Sequence, residues 1–134
     1  IAITDVNSQA AAHARRWASS RRLSHVSVID LTRTKDAAGS VREALGGGAD
    51  VVLELSGAEA SINLGLAAAR SGAIVSLLGI PKQRSVTIQD YTGCLIFKGL
   101  TLHAVIGRRI FDTWIKMLDL FRAGRIEEAQ ALLK

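Results

Sequence analysis

Apolar and polar positions follow two rhythms along this chain. Short, nearly continuous apolar runs occupy residues 1–4, 26–29, 51–55, 73–78 and 100–105. Each reads as a strand, and 51–55 and 73–78 read as parallel strands covered on both faces. Between these runs the apolar residues recur at helical spacing. Residues 8–18 predict an alanine-rich helix with Asn7 as N-cap. Residues 36–45 predict a weaker one, with Ala38, Val41 and Leu45 aligned and Gly46-Gly47-Gly48 ending it. Residues 59–70 predict a third, with Ile62, Leu66 and Ala69 on one stripe and Ser71-Gly72 closing it. Phe111, Trp114, Ile115, Leu118 and Phe121 form the strongest helical pattern, closed by Gly124. Residues 85–88 read as a short extended piece. Residues 126–134 read as a last amphipathic turn or two, with Ile126, Ala129 and Leu133 aligned.

Strands alternating with helices of about a dozen residues mean βαβ units, a parallel sheet and right-handed crossovers. The expected fold class is α/β: a parallel-sheet, Rossmann-like three-layer sandwich. No repeat, linker or low-complexity segment divides it, so residues 1–134 are read as one partial dinucleotide-binding domain.

Composition narrows this reading. A chain of 134 residues is long enough to bury roughly two-thirds of its unfolded surface. No apolar run approaches the roughly 18 residues of a membrane span, and no signal peptide is visible. The first residue is Ile1 rather than Met, so a fragment or processed product is expected. Cys94 is the only cysteine, which excludes an internal disulfide and suits a reducing, cytoplasmic setting. The net charge of +5 includes an arginine cluster, Arg15, Arg16, Arg21 and Arg22, and a second pair, Arg108 and Arg109. Such charge can attract nucleic acid or phosphate, but it reads first as solvated surface. Aromatic residues are only 4%, too few for base-stacking platforms. Neither a nucleic-acid nor a membrane partner is expected.

Ligands of open α/β sheets bind at the carboxyl ends of the strands. There lie Asp5, Asp30, Ser56-Gly57, Leu78-Gly79-Ile80 and Val105-Ile106-Gly107. A carboxylate at a strand end can accept both ribose hydroxyls of an adenosine and repel a 2′-phosphate, which favours NAD over NADP. Spacing does not choose between Asp5 and Asp30, and either acid also suits an N-cap or turn. The loop glycines would let a nicotinamide ring lie against the backbone, or they simply end strands. His13, His25 and His103 lack metal-ligand spacing. Glu54, inside an apolar strand, needs a partner if buried, and a structural pairing is favoured over general-base duty.

Five blocks carry a resemblance. They are Ile3-Thr4-Asp5-Val6-Asn7, Asp50-Val51-Val52-Leu53-Glu54-Leu55-Ser56-Gly57, Ser76-Leu77-Leu78-Gly79-Ile80-Pro81, Ile96-Phe97-Lys98-Gly99-Leu100 and the run from Gly107 to Trp114. In this order they resemble the cofactor domain of the L-threonine 3-dehydrogenases, of the zinc-dependent medium-chain alcohol dehydrogenase superfamily. The resemblance implies NAD-dependent oxidation of L-threonine to 2-amino-3-ketobutyrate, with a catalytic zinc in a separate domain. It implies that Asp5 holds the adenosine ribose, that Leu78, Gly79 and Ile80 line the nicotinamide side, and that Val105 and Ile106 add contacts from the next strand. It also implies a possible homo-oligomer through the edge strand at residues 100–105. No catalytic or metal-binding residue is assigned.

The sequence departs from that pattern. Ala10 stands where the family often has an arginine. No G-x-G-x-x-G occurs, and after Arg125 the chain runs into Glu127-Glu128-Ala129 as if a return segment were deleted. In the order 3-2-1-4-5-6, the strand expected between residues 1–4 and 51–55 is missing. Residues 1–4 are therefore expected to pair directly with 51–55, or a second chain to fill the slot. The chain alone is expected to bind NAD weakly and to be inactive. The alternative is a non-catalytic module serving folding or oligomerisation.

Overall fold

The computed structural model describes residues 1–107 and 110–127. The elements run β1 (Ala2–Asp5), α1 (Ser8–Ser20), β2 (Ser27–Asp30), α2 (Ala37–Ala44), β3 (Ala49–Glu54), α3 (Glu59–Ala68), β4 (Ala69–Leu77), β5 (Thr101–Ala104) and α4 (Ile110–Arg122). All strand pairs are parallel, as the βαβ alternation requires. No helix among the described residues is long and apolar enough to cross a membrane. The Arg108–Arg109 pair and most of the predicted last turn lie outside the described residues.

The strands form two sheets, β1–β2 and β3–β4–β5. The expected closure of β1 onto β3 does not occur. Each of these strands has one hydrogen-bonded neighbour, β2 for β1 and β4 for β3. The connection instead runs through helices: α1 packs on β1 and β2, while α2 packs on β2 and on α3, which covers β3 and β4. The α2–α3 contact joins the two halves in place of a β1–β3 ladder.

Local chemistry explains most boundaries. Asn7 caps α1, its Oδ1 accepting from the N–H of Gln9 at 2.8 Å and Ala10 at 3.2 Å. Asp36 caps α2 through the Gly39 N–H at 2.8 Å. The predicted third helix ends early, and β4 starts at Ala69 with no intervening loop. The cause is distant in sequence. The Lys98 ammonium reaches the carbonyls of Leu66, Ala67 and Ala69 at 2.8, 2.9 and 2.8 Å. It satisfies the helix end that a following turn would otherwise have to cover.

The core sits on one face of the three-stranded sheet. Ile62, Leu66, Ala69, Ala73 and Val75 are buried, with Val52, Leu77, Val86, Ile88, Cys94, Leu95 and Leu100 packed around them. Residues 85–88 form no strand, but the segment is strapped along α3: Asn63 donates to Thr87 O and accepts from the Gln89 N–H, and Glu59 accepts from the Thr87 N–H. Thr92–Ile96 form a single π-helical turn that no sequence pattern predicted.

The other face is open. Alternation places Val51, Leu53 and Ile74 there, and Val51 and Leu53 are 56% and 67% exposed. The expectation that β3 is covered on both faces is therefore corrected. The apolar stripe of α4, from Phe111 to Phe121, is likewise exposed.

Candidate functional site

Two carboxylates stand side by side where β1 and β2 end, since Asp5 is the register partner of Asp30. Their environments differ sharply. Asp30 is buried. Its Oδ1 accepts from the Thr32 hydroxyl at 2.6 Å and the Thr32 N–H at 3.0 Å, and Arg33 lies 3.6 Å from Oδ2. The Thr32 hydroxyl bond leads the effects on this acid, and further bonds from Ser8 and the backbone add to it. Together with the Arg33 charge they outweigh burial and hold the Asp30 carboxyl below its ordinary pKa. Asp30 thus organises the turn after β2. Asp5 is only half-buried. Its Oδ1 accepts from the Asn7 N–H at 2.7 Å, and Oδ2 has no partner among the described residues. Of the two acids, Asp5 is the one with acceptor capacity to offer a ligand.

The ends of β3 and β4 are built around Glu54. Its side chain is 3% exposed. Oε1 accepts from the Ser56 hydroxyl at 2.6 Å and the Ser56 N–H at 3.0 Å, and Oε2 accepts from the Gly57 N–H at 3.0 Å. Burial pushes this carboxyl up, but the bonds from Ser56, Ser61 and the Gly57 amide prevail and leave it below its ordinary pKa. The Glu54 carbonyl also accepts from the N–H groups of Leu78 and Gly79, at 2.9 and 3.1 Å. One residue therefore ties both loops together. This is the structural pairing expected for a buried glutamate.

The glycines serve this loop contact. A Cβ on Gly79 would fall 1.9 Å from Gly57 N, and one on Gly57, whose φ is +69°, would fall 2.4 Å from the Ile80 carbonyl carbon. Only glycine at both places lets the two turns touch. Beyond them Ile80 and Ile106 are 82% and 93% exposed, and Leu78 and Val105 are partly exposed. Val105 is fixed by its N–H to Leu77 O at 2.9 Å. Leu78, Gly79, Ile80, Val105 and Ile106 thus share the carboxyl end of one sheet, while Asp5 sits at the carboxyl end of the other.

The model of the zinc-binding dehydrogenase family matches residues 1–123. The chain belongs to this family. Among its relatives, the L-threonine 3-dehydrogenase of Symbiobacterium thermophilum is 46% identical over 88 residues, 66% of this chain and 24% of that protein. The L-threonine 3-dehydrogenase of Legionella pneumophila (strain Corby) is 36% identical over 124 residues, 92% of this chain and 34% of that protein. The chain thus spans about a quarter to a third of these relatives. A zinc-binding-domain alcohol dehydrogenase protein from Burkholderia ambifaria has the same fold, with a TM-score of 0.70 at 24% identity over 93% of this chain and 32% of that one. The 2R,3R-butanediol dehydrogenase of Bacillus subtilis matches with a TM-score of 0.65 at 19% identity, over 88% of this chain and 31% of that one. The Rossmann-like α/β class holds, and the chain is an oxidoreductase-family domain.

A dinucleotide fits these residues in part. Asp5 suits a ribose diol, and the partly exposed apolar ends of β4 and β5 suit the face of a nicotinamide. The pyrophosphate has no comparable support at α1, because the Asn7 side chain already occupies the N–H groups of Gln9 and Ala10. Sequence reasoning missed Lys98 as a helix cap and the Ser8–Thr32–Asp30 network. A lysine 29–32 residues from its carbonyl partners leaves no local signature, whereas the Asp-x-Thr spacing at Asp30 was readable as a turn signal.

Proposed function

We propose that this chain is the cofactor-binding part of an NAD-dependent alcohol dehydrogenase whose substrate is L-threonine. The observation that carries the reading is the free carboxylate oxygen of Asp5 at the end of β1, in a chain of the zinc-binding dehydrogenase family. Asp5 holds the adenosine ribose hydroxyls and disfavours a 2′-phosphate by charge. Leu78, Gly79 and Ile80, with Val105 and Ile106, form the wall against which the nicotinamide lies. NAD accepts hydride from the substrate alcohol when bound. The residues here bind and orient it, and Glu54 keeps the wall in shape. The similarity to L-threonine 3-dehydrogenases supports the substrate, and the reading assigns zinc to sequence outside this domain. The edge of β5, unpaired among the described residues, supports association of two copies.

The test is an NMR titration of the chain with NAD and NADP. Self-capping of α1 leaves the pyrophosphate unsupported, so the NAD dissociation constant is expected in the millimolar range, about 4 kcal/mol of binding. NAD should bind several-fold more tightly than NADP, and Asp5→Ala should erase that preference. Equal affinity for both dinucleotides in the wild type, or a preference untouched in Asp5→Ala, refutes the assignment.

A further inference from the structure

The opposite end of the β1–β2 sheet carries a second concavity, unrelated to the dinucleotide reading. A groove of about 570 Å³ runs between the C-terminal half of α1 and the start of β2. Its walls are apolar at Ala18, Leu23, Val26 and Val28 and polar at Ser19 and Ser24, and Arg15 and Arg22 line it as well. Residues 6–29 contain four arginines and no aspartate or glutamate. Arg21 is engaged elsewhere, over the Trp17 ring at 5.1 Å and 3.9 Å from Glu127. Arg15 spends one N–H on Val28 O at 3.2 Å. No carboxylate pairs with Arg15 or Arg22 among the described residues.

Arg22 is the telling residue. It has a φ of +53°, the only positive φ of a non-glycine residue among the described residues. It stands where α1 ends. The Leu23 N–H reaches Ala18 O at 3.0 Å, and the Arg22 N–H reaches Ser19 O at 3.0 Å. This pair of bonds is the Schellman helix stop, whose left-handed position is normally glycine because a side chain there is strained. An arginine held in that conformation lines the groove at a cost to the fold. A strained residue at a concavity is a reason to look for a ligand. The helix C-terminus itself disfavours an anion by the equivalent of about half a charge. Two guanidinium groups exceed that, and the carbonyls of Trp17, Ala18 and Ser19 are already bonded.

We infer that the α1–β2 groove binds a small phosphate monoester, its phosphate held by Arg15 and Arg22 and its apolar body lying on Leu23, Val26 and Val28. Guanidinium forks match phosphate oxygens in pairs. The apolar wall distinguishes this site from a patch that merely collects anions.

The full chain, labelled with nitrogen-15, is titrated at low salt with phenyl phosphate, inorganic phosphate and phenol. Phenyl phosphate should saturably shift the amides of Ser19, Arg22, Leu23 and Ser24, and bind about tenfold more tightly than either of its halves, a difference of 1.4 kcal/mol. Arg22→Gly should weaken phenyl phosphate about tenfold while raising Tm by about 2–4 °C, so loss of binding is separated from loss of fold. Arg33→Gln, an exposed arginine away from the groove, should bind like the wild type. The inference is overturned if inorganic phosphate binds as tightly as phenyl phosphate. It is equally overturned if Arg33→Gln weakens binding as much as Arg22→Gly, or if Arg22→Gly has no effect. A headgroup source is tested with phosphatidylcholine vesicles doped with phosphatidic acid. The chain should stay in the supernatant, and co-sedimentation would overturn the small-molecule assignment.

Discussion

Glu54 lies directly under Gly79: a Cβ on the glycine would fall 2.6 Å from Glu54 Oε2. The acid and the missing side chain are two halves of one arrangement. The carboxylate gathers the Ser56–Gly57 turn, and the absence of a Cβ lets the Gly79 turn close over it.

Glu54→Gln keeps the shape but presents an amide to N–H donors. It should destabilise the chain by about 1–3 kcal/mol, the cost of leaving buried groups unpaired, measured by urea denaturation. The pH dependence follows from the lowered pKa. Glu54 and Asp30 bind fewer protons folded than unfolded, so their contribution is complete above the ordinary carboxylate range. It is lost as pH falls through their depressed folded values. Wild-type stability should therefore drop on acidification, and Glu54→Gln should flatten part of that slope. An unchanged slope would refute the account.

Gly79→Ala should cost about 1–3 kcal/mol, as overpacking against fixed backbone does. Gly46→Ala forms a contrast, since a Cβ there meets nothing within 4 Å. Its cost comes from the positive φ alone, roughly 1 kcal/mol. Equal thermal shifts for the two variants would remove the packing argument.

Asp30→Ala should destabilise by about 1–3 kcal/mol, because the Thr32 hydroxyl and amide lose their acceptor. Asp5→Ala loses one bond near the surface and should stay within about 1 kcal/mol of wild type. Paired denaturation curves check this, and the reverse order would mean that the two acids exchange roles.

Lys98→Met removes the cation from three carbonyls at the end of α3. A loss of about 1.5–3 kcal/mol is expected for a hydrogen-bonded charge. Faster amide exchange at the end of α3 is expected with it, and protection equal to wild type there would rule out the cap.

The exposed apolar residues make a fifth prediction. The chain presents 9750 Å² of surface, against about 6,800 Å² for a compact monomer of this mass. Val51, Leu53 and the α4 stripe contribute to that excess. The isolated chain should enhance the fluorescence of a hydrophobic dye such as ANS, and Leu53→Ser should reduce it. A wild-type chain that leaves the dye dark would contradict the open face.

Most elements were legible because their causes are local. Asn7 and Asp36 mark helix starts, and the α4 stripe repeats at helical spacing. What escaped depends on remote partners. The early end of α3 needs Lys98, and the π-helical turn at Thr92–Ile96 has no spacing signature. The open face of β3 was misread because an apolar run looks the same whether or not something covers it. At the site, Asp5 and Asp30 have equal claims in one dimension. Only the full burial of Asp30 beside the half-burial of its register partner Asp5 separates them.

The division into two sheets also bears on how the molecule comes apart. No backbone ladder crosses from β1 to β3, so the halves share the α2–α3 contact rather than one hydrogen-bonded network. Cooperativity then has a weak seam. The amides of β1 and β2 should exchange through a cheaper partial opening, while those of β3 and β4, over the main core, should wait for global unfolding. A chain built this way should melt in two tiers, seen as two calorimetric transitions, and a single transition would contradict the seam.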